Sequence, residues 1–559
     1  MSDVPTQPAF KTQTCWLLLA LIAGLWFATL GTRHLLNPDE GRYAEIASEM
    51  LTTGDWITPR LNGIKYFEKP PLQYWMTAAA YQVFGQTEFA ARFWTGLTGF
   101  AGLLLAGFTT LRLFGRSAAA MTIAVLASSL LYVVIGHINT LDMGLSFFLQ
   151  LAISSFLLAQ QSTTVATERN WMLGAWASVA LAFLSKGLVA LILPALTLIA
   201  YTLVTREYSA WRRLHIGKGL LLLLVLGPPW LVAVSRTNTE FLQFFFLHEQ
   251  FERFLTTIHD RAGPWWYFLP LLLLGTLPWT FVALRQFKPA WQLDSQLNGF
   301  QTRRFLMLWI VVVVTFFSLS HSKLPPYIVP VIPMFAMLLG DIFTRLSVRA
   351  LRMHLLVMGS VLTLLAVMIG LLPTGLAGTR SVDLIGKLQP PATIGFLLAA
   401  AAMLFSAWQL RRSATTHTIP RAVITTGLGT LLALNVLIQG SNEISATRSG
   451  YALAQQIKAA VPDDLSNLPI YSVSNYDQTL PFYLQRRITL VNYRGELDFG
   501  LTQEPELAID SIEAFARVWN QPGSAIAVMS PALYTEMLSK GLPMRLIAEQ
   551  AKMVAVGKP

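Results

Sequence analysis

Apolar runs of roughly 20 residues, separated by short polar loops, recur along the chain from Trp16 onward; each is about long enough to cross a hydrocarbon core roughly 30 Å thick. They predict about thirteen membrane-spanning helices, at 16–33, 92–113, 118–136, 142–160, 171–185, 188–204, 218–235, 265–285, 304–320, 327–345, 352–372, 393–410 and 421–439. The run at 72–84 is apolar but too short for a comfortable span. After about Gly440 the chain becomes more polar. Ile470–Val473, Ile488–Val491 and Ala525–Met529 read as short strands, alternating with helical stretches at Ser511–Trp519 and Pro531–Ser539. The expected architecture is an α-helical polytopic membrane domain over 1–440, with a first loop at about 34–91, followed by a small α/β domain over 441–559.

Composition agrees. Apolar residues make up 54% of the chain and charged residues 13%, against about 25% charged in soluble proteins. The net charge of +11 does not point to nucleic acid, because the sequence holds no basic domain, zinc-finger spacing or RNA-binding signature. Its positive residues sit mainly in short loops, where they orient the protein and meet anionic membrane lipid. The single cysteine, Cys15, excludes a disulfide or a cysteine metal cluster within one chain. Lys11 and the apolar run Trp16–Leu30 resemble a signal peptide, but no small-residue cleavage site follows, so an uncleaved first span is expected.

Loop charge sets the orientation. If 72–84 does not cross, one side receives most of the loop positives, among them Arg112, Arg116, Arg212, Arg213, Arg303, Arg304, Arg411, Arg412 and Arg421. The short loops opposite hold chiefly Lys186, Arg253, Arg261 and Lys323. This positive-inside pattern predicts a cytoplasmic N-terminus and, with an odd number of spans, a C-terminal domain outside the cytoplasm. The run at 72–84 is then expected to lie in the interface, with Tyr74, Trp75 and Tyr81 as anchors.

The same topology gathers polar residues on the outer side. They are Asn37-Pro38-Asp39-Glu40-Gly41-Arg42-Tyr43, Tyr66-Phe67-Glu68-Lys69-Pro70-Pro71, Asp142, Lys186, His248-Glu249-Gln250-Phe251-Glu252-Arg253 with His259-Asp260-Arg261, and His321-Ser322-Lys323-Leu324-Pro325-Pro326-Tyr327. Polar groups at membrane depth are costly and tend to serve a function. Cations beside carboxylates suit phosphate handling: Lys69 and Arg253 to stabilise a departing phosphate, Asp39 on the side of the acceptor or anomeric carbon. Glu68 and His248 are a two-ligand start to a divalent metal site, the one cofactor the residues suggest.

Simpler roles compete for each. Asp39 and Glu40 follow a proline at a helix start, and Asp142 opens a span, so all three are candidate helix caps. Lys69 is also placed to meet lipid headgroups, and Arg253 stands four residues after Glu249, the spacing of a helical ion pair. His248 has the ordinary role of a satisfied polar residue. Trp265-Trp266-Tyr267 reads as an interface anchor and Phe244–Phe246 as packing or lipid contact.

The run Asp39–Ile46, the stretch Tyr66-Phe67-Glu68-Lys69-Pro70 and the stretch Ser322–Tyr327 together closely resemble the aminoarabinose lipid A transferases. These are membrane glycosyltransferases with the C-type fold, related to protein mannosyltransferases. The resemblance implies transfer of 4-amino-4-deoxy-L-arabinose from undecaprenyl phosphate to lipid A phosphates at the periplasmic face, which lowers outer-membrane charge and gives resistance to polymyxin. It implies that Asp39 is the essential first-loop aspartate and Asp142 a second aspartate of the cavity. By the same match Lys69 and Arg253 hold the carrier phosphate and Tyr327 lines the cavity. Arg42, Tyr43, Tyr66 and Lys323 lie in the same motifs and join the expected substrate-binding set. A lipid A phosphate is already anionic, so Asp39 is expected to orient groups or meet the donor amine, whereas a hydroxyl acceptor needs it as a base. Direct displacement inverts the anomeric centre.

Relatives that transfer hexosamine or mannose, to lipid A, protein or another glycan, share much of this pattern. A transporter of lipid-linked sugars is the rival of another class, although no internal repeat is found. A monomer is expected.

Overall fold

The computed structural model describes residues 12–252, 263–292, 299–372, 380–412, 418–461, 468–550 and 552–558. The chain divides into two compact units, one formed by Met1–Leu30 and Thr95–Gly440, the other by Gly31–Trp94 and Ser441–Pro559.

The first unit is helical, and each of the apolar runs assigned to it carries helix. Among the described residues, seven helices are long and apolar enough to cross a membrane, or up to nine if each of two bent pairs is one span. Gln13–Phe27, Val189–Thr205 and Val331–Phe343 are apolar but shorter, so the full count of thirteen is not reached by length and composition. This is a multi-pass membrane protein. One bent pair, Arg116–Ala127 with Leu130–Gly136, turns by 65°. The turn falls at Ser128-Ser129, whose hydroxyls donate back to the Ala124 and Val125 carbonyls at 2.6 and 2.8 Å. Such back-bonding competes with the helical ladder and bends it. The second pair, Phe268–Gly275 with Thr280–Gln286, turns by 110° at a break containing Pro278, which has no N–H to continue the helix.

Polar contacts fix the register of the helices where lipid-like surroundings give little discrimination. The buried Trp26 indole donates to Gly96 O at 2.8 Å and Tyr132 donates to Gly99 O at 2.7 Å. Arg303 and Asp341 form a buried two-point pair, at 2.7 and 3.0 Å, that ties Thr302–Leu319 to Val331–Phe343. A planar guanidinium matched to a carboxylate fixes both rotation and height.

The second unit brings the first loop and the C-terminal segment into one body. The loop folds as helix Asp39–Thr53, a hairpin of β1 (Arg60–Leu61) and β2 (Ile64–Lys65), and helix Leu72–Phe84. Asn62 and Gly63 make the two-residue turn, with φ of 56° and 83°, the left-handed pair that Asn-Gly adopts at low cost. Helix Leu72–Phe84 faces inward, which corrects part of the expected anchoring role. Tyr74 and Tyr81 are buried, Tyr74 lying 6.0 Å from the Tyr43 ring and Tyr81 donating to Ala44 O at 3.3 Å. Trp75 is half-buried and donates to Trp56 O at 2.7 Å.

The C-terminal segment holds a six-stranded sheet. Its strands are β3 (Ile470–Val473), β4 (Thr489–Val491), β5 (Ala508–Ile509), β6 (Ile526–Met529), β7 (Arg545–Gln550) and β8 (Met553–Gly557), in the order β5-β4-β3-β6-β8-β7. The first four run parallel, and β8 and β7 complete it antiparallel. Every residue of β6 and of β8 is buried, as strands covered on both faces require. Phe515 and Trp519, from helix Ile512–Trp519, share the core with Met529, Met537 and Val554. That helix starts on Ser511 and helix Pro531–Ser539 on Ser530, each serine accepting a backbone N–H.

Candidate functional site

In the second unit the motif residues of the first loop converge on Arg42. Its side chain is only 6% exposed, whereas that of its partner Asp39 is 43% exposed. Arg42 Nη1 lies 3.2 Å from Asp39 Oδ1, Nη2 lies 3.4 Å from Glu496 Oε1, and the guanidinium carbon stands 6.0 Å from both the Tyr43 and Tyr66 rings. Burial works against the arginine charge, but its anionic neighbours, Glu496 and Glu68 among them, help hold the group protonated more firmly than an ordinary arginine. Arg42 Nε and the Tyr66 hydroxyl are buried without a hydrogen-bond partner. Burial pushes the Tyr66 phenol far above its usual range, so it stays a neutral donor. One guanidinium N–H and one phenol O–H are thus available to an oxygen-rich ligand.

The alternative of helix capping for Asp39 is not realised. Pro38 occupies the cap position and no side chain bonds the first turn there, leaving the Asp39 carboxylate partly open to solvent. Glu40 has a different role. It accepts from Arg33 at 3.1 Å and from Arg92 Nε at 2.7 Å, both buried, and from the Leu36 N–H at 3.0 Å. It is the hub that shapes the loop entrance, with its capacity as an acceptor filled.

The turn before the helix is clamped by the C-terminal segment. The Asn37 N–H donates to Arg448 O at 2.7 Å and the Gln478 N–H to Asn37 Oδ1 at 3.2 Å. Gly41 packs so closely that an added Cβ would meet the Gln478–Thr479 backbone at 2.6 Å, hence glycine. The Gln478 side-chain amide donates in turn to Glu496. Neither Glu496 nor Gln478 carries a local sequence signal. Further along, Lys69 is buried and donates to Glu68 O at 2.7 Å, with Glu68 Oε2 at 3.9 Å.

In the first unit a second cluster forms round Lys186, which the sequence put on the polar face without giving it a role. Its ammonium bonds Asp142 and sits 4.5 Å from the centroid of the Tyr327 ring. Thr140, not Asp142, holds the cap position of helix Leu141–Gln161, so Asp142 is committed to the lysine rather than to the helix start. Tyr327 stacks on Phe268 at 6.5 Å and meets Phe317 at a tilt, 5.0 Å away. Lys323 points to the end of helix Thr302–Leu319, donating to Ser318 O at 3.0 Å and to Ser320 O. A cation there satisfies terminal carbonyls and the helix dipole. His248 is half-buried and stacks on Phe244 at 5.1 Å, within the π-helix Gln243–Glu252. Arg253 lies outside the described residues. Among those described, no group of three or more His, Cys, Asp and Glu side chains is placed to hold a metal ion, so neither Glu68 nor His248 belongs to such a group there.

Comparison with known proteins bears on both units. Residues 453–558 match the model of the aminoarabinose transferase C-terminal domain, and residues 11–293 match that of the dolichyl-phosphate-mannose-protein mannosyltransferases. The crystal structure of ArnT from Cupriavidus metallidurans bound to undecaprenyl phosphate is 35% identical and superposes with a TM-score of 0.90, over 98% of this chain and 98% of that one. The chain belongs to the aminoarabinose transferase family. The apo structure of the same Cupriavidus protein gives a TM-score of 0.89 with the same identity and coverage.

Among curated sequences, undecaprenyl phosphate-alpha-4-amino-4-deoxy-L-arabinose arabinosyl transferase 1 of Pseudomonas fluorescens is 35% identical over 369 residues, 64% of this chain and 64% of that protein. The corresponding transferase of Aeromonas salmonicida is 33% identical over 347 residues, 61% of this chain and 62% of its own length. The chain thus matches a little under two thirds of the length of these curated relatives.

Proposed function

We propose that this protein transfers 4-amino-4-deoxy-L-arabinose from undecaprenyl phosphate to a phosphate of lipid A at the periplasmic face of the inner membrane. The observation that carries this reading is the 0.90 TM-score, at 35% identity over 98% of both chains, to ArnT bound to undecaprenyl phosphate. The chemistry of the two clusters supports it. Arg42 and Tyr66 offer buried N–H and O–H donors, and Lys69 adds a cation, which suits an anionic phosphoryl or sugar group. Asp39 is the accessible carboxylate of its cluster and orients the acceptor or the donor amine. Lys69 and Arg253 stabilise the carrier phosphate as it leaves. Lys186, held by Asp142 and the face of Tyr327, is a fixed cation suited to an anionic group. Lys323 braces the loop that leads to Tyr327. Displacement at the anomeric carbon by a lipid A phosphate oxygen breaks the bond to the carrier phosphate and inverts the centre. Loss of charge on lipid A then gives resistance to polymyxin.

Mass spectrometry of lipid A from matched cells lacking and carrying the protein, with donor biosynthesis intact, tests this. A pentosamine increment on each modified phosphate is expected. No increment, with the protein confirmed in the membrane, overturns the acceptor assignment. A second reading, hexose or hexosamine transfer by the same displacement, is favoured by the mannosyltransferase match over 11–293, and a hexose or hexosamine increment on lipid A, protein or another glycan would select it.

A further inference from the structure

A groove of about 680 Å³ in the first unit holds none of the expected site residues and is lined by Trp16, Leu19, Leu111, Arg116, Ala120 and Leu428 among others. Its wall is apolar apart from one end. There Arg116 opens helix Arg116–Ala127, and helix Thr12–Phe27 contributes its first turns. Arg421, in the first turn of Thr418–Gly440, stands one turn before the lining residue Ile424 and so on the same helical face. Arg112, next to the lining residue Leu111, closes the last turn of Glu88–Phe114. All three arginines are exposed, and no acidic side chain pairs with them among the described residues.

The depth of the groove is informative. From Arg116 to the lining residue Ala127 the helix rises roughly 16 Å at 1.5 Å per residue. That is about half of a hydrocarbon core of roughly 30 Å, or one leaflet. An apolar channel one leaflet deep with unpaired guanidinium groups at its outer end has the form of a phospholipid turned inside out. Basic pockets between membrane helices recognise anionic headgroups in this way. A polyprenyl chain, several times longer, would overrun it.

We propose that this groove binds one anionic phospholipid, an acyl chain along the apolar wall and the phosphate at Arg116 and its arginine neighbours. The loop pattern that assigns these arginines to the cytoplasm puts the lipid in the inner leaflet. The site is independent of the transfer reaction proposed above, since it shares no residue with it.

The test is native mass spectrometry of the full chain in mild detergent, titrated with phosphatidylglycerol, with phosphatidylcholine of the same chains, and with undecaprenyl phosphate. Phosphatidylglycerol should bind preferentially, and Arg116→Gln should weaken it about fivefold, the worth of one cation near a membrane surface. Ala120→Phe, which fills the groove, should abolish that binding while transfer activity persists. Should Ala120→Phe fail to fold, Arg116→Gln at the rim carries the test alone. Equal retention of the two phospholipids, unchanged phosphatidylglycerol binding in Arg116→Gln, or tighter binding of undecaprenyl phosphate to the wild-type groove would each overturn the assignment.

Discussion

Glu496, from the C-terminal segment, reaches within 3.4 Å of Arg42 in the first loop, and Arg42 in turn lies 3.2 Å from Asp39. The exposed carboxylate is therefore held through a buried cation whose second partner is hundreds of residues away in the chain. This gives the C-terminal segment a positioning role. Glu496→Gln removes the charge that anchors Arg42 while keeping a hydrogen-bonding side chain of the same size. Weakening a charge-assisted contact costs about 1.5–3 kcal/mol, so transfer should fall by roughly ten- to hundredfold with the protein still folded. The loss should appear in kcat more than in KM if Asp39 is misoriented during the reaction. An unchanged rate would show that Arg42 needs no second partner.

Asp39 is the least buried carboxylate of its cluster and pairs with Arg42 at its exposed edge, so replacing it should cost little stability. Asp39→Asn is expected to abolish transfer while leaving yield and melting temperature close to wild type. Lys69→Ala should also abolish transfer, with a larger stability cost because Lys69 is buried. Pentosamine incorporation alongside thermal unfolding separates the two effects. Full activity in either variant would remove that residue from the proposed chemistry.

Lys186 and Asp142 illustrate a different energetics. Removing one member of a mostly buried ion pair leaves the other charge uncompensated, at a cost of about 3–5 kcal/mol. Lys186→Met and Asp142→Leu should each lower the melting temperature sharply, and the double variant should recover much of the loss. Activity should not recover with it, since the fixed cation beside Tyr327 is gone. Additive losses in the double variant would mean that the two side chains do not depend on each other.

Much of this organisation was legible along the chain. The apolar runs mark the helices of the first unit, and strands β3, β4 and β6 fall where short apolar runs flanked by turn residues put them. Other features depend on contacts that local pattern does not encode. Tyr74 and Tyr81 read as interface aromatics because amphipathic rings suit lipid headgroups, yet each packs inside a loop that folds as a body. The bends at Ser128-Ser129 and Pro278 are carried by one or two residues within otherwise continuous apolar runs. Glu496 sits among ordinary polar residues, and only the fold of the second unit brings it to Arg42. Glu40, one position from Asp39 and chemically almost the same, is buried between Arg33 and Arg92 because the helix turns it to the other side.

Two further carboxylates in the same helix make the second unit sensitive to pH. Glu45 and Glu49 stand one turn apart on Asp39–Thr53 and both are buried. Glu49 accepts from the Gly63 N–H at 2.6 Å and from Arg487 at 3.1 Å. Glu45 is raised well above its ordinary value of 4.5, first by burial and then by Glu49, with Arg487 pulling the other way. Tyr81 and Tyr476 feel the Glu45 charge in turn, and burial keeps both phenols neutral. In the native state Glu45 thus holds its proton at pH values where the unfolded chain has released it. The folded form binds more protons, so its stability falls as pH rises. The contribution is complete below about 4.5 and is lost progressively as pH climbs through the raised native value. Glu45→Gln, which keeps the shape and removes the titration, should flatten the decline of melting temperature between acid and neutral pH and raise stability at neutral pH. Melting curves of wild type and variant across that range, in the same detergent, check this. A variant whose melting temperature falls with pH as steeply as wild type would place the proton elsewhere, with Glu49 the first residue to replace.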